Sequence, residues 1–467
     1  MIVYGALMPH PPIIIPEVGQ QQLDEARVTV EGVKMLAREV QRSQPDTLVF
    51  ITPHGNVFRD VLSVLTTPAS EGDLADFGHP EVKSSHPSDP ELLQALFKEA
   101  ARSELDLLGV DEDLADRHGL NHRLDHGVLV PLYYLDKAGL TKTRVVAISI
   151  GFLPREELYS FGMAIARAAA AVPRRVAVIA SGDMSHRLLD RGPYSYHPDG
   201  KVFDHKIKEL LEQGDVIGIL RVPPALAENA GECGYRSLVI LLGAMDGRDL
   251  SSRVFSYEGP FGVGYLTAGF TPAGASQARE LLPLLEEARR EEIERTRHQE
   301  SPLVRWARQS LETFIRENKK VHLPPDLPDE LRKSAGVFVS LKKGGQLRGC
   351  IGTIWPAQDN LALEIRENAI SAGTRDYRFT PVTVDELDEL VYSVDVLTPP
   401  EPAKSVDELD ARKYGVIVRC DGRVGVLLPD LEGVDTVAEQ LRIALQKAGI
   451  SPEEPYTIER FEVKRYK

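Results

Sequence analysis

The chain has 467 residues, enough for two or three globular units at roughly 150 residues each. Apolar residues make up 42% and charged residues 27%, with 37 Gly and 32 Pro, which excludes collagen-like, mucin-like and wholly disordered chains. A formal net charge of −15 supplies no basic field for phosphates, so no nucleic-acid partner is expected.

Cys233, Cys350 and Cys420 lie far apart without CxxC spacing, which argues against a disulfide framework or a Cys-rich zinc module and fits a reducing cytoplasm. The apolar N-terminus is interrupted by Pro9, Pro11, Pro12 and Pro16 and lacks a basic region. No run approaches twenty apolar residues, so neither a signal peptide nor a membrane span is expected. Ten of the twelve histidines fall between His10 and His205, which places any histidine chemistry in the first half.

In chain order, β-branched runs predict strands at 2–7, 47–52, 61–65, 144–150, 175–180, 254–257 and 264–270. Helical periodicity falls between them at 25–41, 90–101, 128–137, 155–171 and 201–212. The alternation predicts an α/β N-terminal domain over 1–272, with a central sheet flanked by helices. Residues 273–300 are strongly charged with leucines at helical spacing, and predict a helical linker. From 301 to 467 a smaller α+β domain is expected, with helices at 303–317, 357–372 and 436–447 and strands at 337–341, 347–354 and 391–397. A hairpin at 416–428 would turn on Asp421-Gly422.

His10 follows the first strand in LMPHPP, and His54 follows the second long strand in VFITPHG. Both fall where an open α/β sheet presents its carboxyl edge, the usual place for ligands. Two neutral imidazoles joined by one carboxylate make a facial triad with open positions for ferrous iron. Glu232, in AGECGYRS between Gly231 and Gly234, is the candidate carboxylate. SGDMSH puts Asp183 and His186 at the same edge, with His186 suited to proton transfer. In ADRHGLNHRLDHG, His122 reads as a loop or helix-entry residue beside His126, while His79 and His86 read as solvated loop residues.

Together MPHPP, TPHG, DHG followed by Val130-Pro131-Leu132, SGDMSH and YHPDGKVFD resemble the class III extradiol ring-cleaving dioxygenases, the protocatechuate-type catalytic subunits, and their Memo relatives. The resemblance implies Fe(II) held by His10, His54 and Glu232, with His186 as acid–base catalyst, Asp183 beside it and His126 lining the pocket. It also implies a small aromatic substrate, and homo-oligomers occur among such relatives. Memo relatives carry a cysteine near the third ligand, so Cys233 is the alternative. A thiolate there would favour zinc, copper or redox chemistry.

In the second half, LRGCIGT sets Cys350 between glycines near Arg348, and RDYRFTPVTVDEL adds Arg375 and Asp376. These form a second candidate site, with a lowered thiol pKa expected if Cys350 is exposed near Arg348. A small buried strand cysteine is the competing reading. The two phrases resemble the AMMECR domain family, which implies no settled reaction. The fusion resembles AmmeMemoRadiSam proteins, which implies a radical-SAM partner. Three readings stay open: an extradiol dioxygenase-like enzyme, a metal-binding accessory protein, and a zinc-dependent hydrolase.

Overall fold

Strand β1 (Ile2–Met8) and the runs β2 (Thr47–Thr52), β7 (Arg144–Ser149) and β8 (Val176–Ser181) lie side by side in a computed structural model. It describes every residue except Pro324, Glu432, Gly433 and Asp435. The remaining strands of the first unit are β3 (Leu62–Leu65), β4 (Ala69–Leu74), β5 (His79–Pro87), β6 (Leu107–Val110), β9 (Arg248–Glu258) and β10 (Tyr265–Ala275). Eight of them form one sheet in the order β6-β3-β7-β2-β8-β1-β10-β9, while β4 and β5 pair separately. The central four, β7-β2-β8-β1, are mutually parallel, and β10 and β9 close one side antiparallel.

Because parallel central strands are covered on both faces, they are apolar on both faces. Leu48, Phe50, Ala177 and Ile179 join one core layer with the helices Arg27–Arg42 and His126–Leu135. Val49, Ile51, Val178 and Ala180 join the other with the helices Pro90–Arg102, Arg155–Ala171 and Tyr235–Gly243. Each large side chain fully buried in these layers contributes roughly 1.5–3 kcal/mol. The consequence is a rigid parallel centre whose carboxyl edge carries three adjacent loops.

The reading of His79 and His86 as solvated loop residues is corrected by β5. His86 is buried, with Nδ1 2.7 Å from the Thr143 carbonyl oxygen and Nε2 3.1 Å from Asp136 Oδ1. The run HPEVKSSHP is too polar for its strand character to appear as apolar alternation.

The chain forms two compact units, Met1–Ala288 and Arg289–Lys467, and the division falls within the helix Leu282–Gln299. The second unit contains β11 (Val337–Lys343), β12 (Gln346–Thr353), β13 (Leu390–Leu397), β14 (Glu401–Pro402), β15 (Tyr414–Cys420), β16 (Arg423–Leu427) and β17 (Thr457–Tyr466). Their order is β12-β11-β13-β17-β15-β16, with β14 on β17. The helices Pro302–Glu317 and Leu361–Thr374 share a core with β11 and β13, and the helix Val437–Ala448 shares one with β15 and β16. Asp421 (φ 46°) and Gly422 (φ 81°) make the expected tight hairpin turn. Among the described residues, no helix is long and apolar enough to cross a membrane.

Candidate metal centre

Three neighbouring strands end at one place. β1 delivers His10, β2 delivers His54, and β8 between them delivers Asp183 and His186. His10 Nε2 lies 2.9 Å from His54 Nε2. The first residue of the helix His126–Leu135 brings a third imidazole, with ring centroids 4.3 Å from His54 and 5.4 Å from His10. Among the described residues, His10, His54 and His126 form a group whose ligand atoms all lie within 4.8 Å of one another.

The His10 ring is held from behind, and His54 and His126 are held through their backbones. The His10 backbone N–H donates to Asp183 Oδ1 at 3.0 Å, and His10 Nδ1 is 2.8 Å from Ser181 Oγ. The His54 backbone N–H donates to Thr52 Oγ1 at 3.2 Å, and Thr52 Oγ1 donates to Asp125 Oδ1 at 2.7 Å. Asp125 caps the helix by accepting from Gly127 N at 2.7 Å, which fixes the turn that starts with His126. A Cβ at Gly127 would sit 2.4 Å from Thr52 Oγ1, so only glycine allows this approach.

The loop carrying Glu232 and Cys233 meets the Asp183 loop glycine against glycine. A Cβ on Gly182 would fall 2.0 Å from Gly234 Cα. Gly234 N donates to the Asp183 carbonyl at 2.9 Å, and Asp183 N donates to Cys233 Sγ at 3.3 Å. This docking puts Cys233 Sγ 3.6 Å from His10 Nε2. The Glu232 carboxylate is occupied elsewhere, accepting from Tyr235 N at 2.6 Å at the start of the helix Tyr235–Gly243. Neither Glu232 nor Cys233 is in the three-histidine group, but Cys233 Sγ is the one of the two that lies beside His10.

Desolvation favours the neutral forms of these groups, although His54 is exposed and His126 and His186 are half-buried. It pushes His54 down to about 4, helped by His126, and His186 down to about 4, helped by His54. His10 is held well below its usual value by burial and then by the other three imidazoles, and burial lowers His126. Burial, then the Asp183 carboxylate, pushes the Cys233 thiol well up. Neutral imidazoles carry the lone pair that a metal needs, and a bound cation would reverse the penalty on the thiolate.

The three-histidine group fits an ion, and the two spacings measured from His10 Nε2 suit a shared metal. Two nitrogens each ~2.1 Å from one metal lie roughly 3.0–3.4 Å apart, and a nitrogen and a sulfur at ~2.1 and ~2.3 Å lie roughly 3.6 Å apart at a tetrahedral angle. The observed 2.9 and 3.6 Å spacings need little movement.

His186 lies beside this group, its ring parallel to Tyr194 at 5.8 Å between centroids, while Phe77 packs edge-on to His126 at 5.2 Å. Ser185 N donates to Asp204 Oδ1 at 2.7 Å and Tyr257 Oη donates to Asp204 Oδ2 at 2.9 Å, so buried Asp204 fixes the loop bearing His186. His118 and His122 lie outside the group, His122 before the Asp125 cap rather than on the helix with His126. Sequence reasoning missed Ser181 and Asp204 as supports. The only signal was that both stand inside phrases already singled out, SGDMSH and YHPDGKVFD.

In the second unit Cys350 is half-buried on β12. Arg348 forms a two-pronged pair with Glu386 at 2.8 and 2.9 Å, so its charge is directed away from the thiol. Burial raises the thiol, although Ser340 Oγ donates to Sγ at 3.2 Å and Arg378 opposes the rise. Buried Asp376 accepts from Cys350 N at 2.9 Å and pairs with Arg378 at 2.7 Å. The Arg378 contact, with these backbone bonds, holds the Asp376 carboxyl at about 2. Arg375 is exposed.

The profile of the catalytic LigB subunit of aromatic ring-opening dioxygenase matches residues 4–270, and that of AMMECR1 matches residues 304–467. A Clostridium acetobutylicum protein, CA_C1420, is 41% identical over 463 residues, covering 99% of this chain and 98% of its own length. A Thermotoga maritima protein is 54% identical over 171 residues, 36% of this chain and 98% of its own length. The solved structure of uncharacterized protein PH0010 from Pyrococcus horikoshii shares 33% identity over 35% of this chain and 88% of that chain, at a TM-score of 0.33. By the match across residues 4–270, the chain belongs to the family of the catalytic LigB subunit of aromatic ring-opening dioxygenase, here joined to an AMMECR1 domain.

Proposed function

We propose that the N-terminal unit is a metal-dependent oxidoreductase site for a small phenolic or catecholic compound, with ferrous iron as the metal and His10, His54 and Cys233 as its ligands. One observation carries the reading: the ligand atoms of His10, His54 and His126 all lie within 4.8 Å of one another, with His54 Nε2 at 2.9 Å and Cys233 Sγ at 3.6 Å from His10 Nε2. His126 stands next to them as a further donor or pocket wall.

The metal, when bound, supplies a Lewis acid that lowers the pKa of a phenolic oxygen and a centre for electron transfer to an oxidant. The chain supplies the rest. His186, neutral at pH 7, accepts a proton from a substrate hydroxyl and returns it to the product. Tyr194 and Phe77 offer aromatic surface beside the imidazoles, on which a flat ring stacks. With dioxygen as co-substrate, the reaction expected of this family is ring opening next to the hydroxyl-bearing carbons.

A second reading is favoured by Cys233 itself, since a sulfur donor in place of a carboxylate suits zinc or copper. In that case the chain is a metal-binding accessory protein, with a radical-SAM enzyme as the partner we would look for. Its three free cysteines suit a reducing compartment such as the cytoplasm.

The test is metal content of protein purified without oxygen, followed by oxygen uptake with a panel of catechols. Wild type and Glu232→Gln should each hold about one iron per chain, and His54→Ala and Cys233→Ala should not. Catechol-dependent oxygen uptake, lost in His186→Ala with iron retained, supports the enzyme. Stoichiometric zinc or copper with no oxygen uptake selects the accessory reading. Iron retained in His54→Ala sinks the ligand assignment.

A further inference from the structure

Ser181, the last residue of β8, is completely buried, and its hydroxyl touches two groups. One is the carbonyl oxygen of Gly127, in the first turn of the helix that begins with His126. The other is His10 Nδ1 at 2.8 Å. A carbonyl oxygen only accepts, and a serine hydroxyl has one proton, so that proton goes to Gly127. Ser181 Oγ is then left with lone pairs alone towards His10, and His10 Nδ1 must carry the proton that completes the bond. The lone pair of His10 therefore sits on Nε2, the nitrogen facing His54 Nε2 at 2.9 Å and Cys233 Sγ at 3.6 Å.

We propose that Ser181 is the positioning residue of the metal centre, which sets the tautomer of His10 and ties that ring to the helix turn carrying His126. The Gly127 peptide is gripped from both sides, its N–H by Asp125 Oδ1 at 2.7 Å and its carbonyl by Ser181. It also lies close against β2, since a methyl group on Gly127 would meet Thr52 Oγ1 at 2.4 Å. The opposite His10 tautomer would set two lone pairs against each other between two buried residues, because the serine proton is already committed. A hydrogen-bond partner behind a metal-binding histidine is typically worth 10–100-fold in metal affinity.

The inference rests on the metal-centre reading, and two readouts separate the fates of the two ideas. The first uses metal-free full-length protein with ¹⁵N in its histidine rings, His10 being assigned by the signal lost in His10→Gln. Wild type should show His10 protonated at Nδ1 and bare at Nε2. The second is Zn(II) affinity by competition with a chromophoric chelator, comparing Ser181→Thr with Ser181→Val, which share a shape and differ by the hydroxyl. Ser181→Val should bind about 10- to 100-fold more weakly than Ser181→Thr at unchanged stoichiometry. A wild-type ring bare at Nδ1, or equal affinities in the two variants, overturns the proposal. If wild type takes up no metal the metal-centre reading fails, while the ring spectrum still decides the role of Ser181. That spectrum needs no substitution at Ser181, so a variant that fails to fold leaves it standing.

Discussion

Gly182→Ala is the most demanding perturbation that the site geometry offers. The new methyl would stand 2.0 Å from Gly234 Cα, against roughly 3.5–4.0 Å for carbon atoms in contact, so the two loops must part by about 1.5–2 Å. Neither loop can give by turning a side chain, because the obstacle is backbone. Separation would stretch the Gly234 N to Asp183 carbonyl bond of 2.9 Å and the Asp183 N to Cys233 Sγ contact of 3.3 Å. Overpacking of this kind costs typically ~1–3 kcal/mol, and the rigidity of both partners puts this case at about 3. At roughly 2–4 °C per kcal/mol for a unit of this size, the melting temperature should fall by about 6–12 °C. Scanning calorimetry gives that shift, and chelator competition gives the metal affinity, which should fall about tenfold or more as the Cys233 sulfur leaves His10. Both tryptophans, Trp306 and Trp355, lie in the second unit, so their fluorescence serves as a control for its folding. Gly182→Ala with wild-type melting and wild-type metal affinity would refute the claim that the glycine contact brings Cys233 to His10.

Other perturbations test the supports one at a time. Asp125→Ala removes the cap on Gly127 N and the acceptor for Thr52 Oγ1 and should cost about 1–2 kcal/mol in urea denaturation, with weaker metal binding. Asp204 gives a pH signature: burial pushes its carboxyl up to about 7, opposed by Ser185 N and Tyr257 and reinforced by Glu232. An acid raised on folding stabilises fully below its unfolded pKa of ~3.9, and that contribution is lost as pH rises through 7. Asp204→Asn should therefore gain stability relative to wild type between pH 5 and pH 8 in paired melts, and a constant difference would remove Asp204 as the titrating group. In the second unit, native Cys350 should react with iodoacetamide at pH 7.5 several-fold more slowly than in urea, because burial raises the thiol. Asp376→Ala leaves Cys350 N without its acceptor and Arg378 without its carboxylate, with only the Cys350 carbonyl still accepting from it, and should destabilise that unit by roughly 1–3 kcal/mol, read by tryptophan fluorescence.

The sequence carried the strand-end phrases because each is local: LMPHPP and VFITPHG announce a β-branched run and the residue that follows it. It could not say which of two adjacent side chains, Glu232 or Cys233, faces His10, since that depends on how one loop docks on another. The deciding contact joins Gly182 to Gly234, two residues without side chains to betray it. Ser181 and His10 are likewise neighbours only through the parallel pairing of β1 with β8. β17 escaped detection for a different reason. TIERFEVKRY holds the middle of the second sheet by its backbone, yet only Phe461 is fully buried, so charged residues outweigh the apolar alternation. β6 is four residues long and contains Gly109, too short a run to stand out.

The most direct measurement is X-ray absorption at the metal edge of anaerobically purified full-length protein. One ion per chain, with histidine nitrogen scattering near ~2.1 Å and one sulfur near ~2.3 Å that disappears in Cys233→Ala, is the predicted result. A substoichiometric ion, or a shell of oxygen alone without imidazole scattering, would contradict the metal centre on which the account rests.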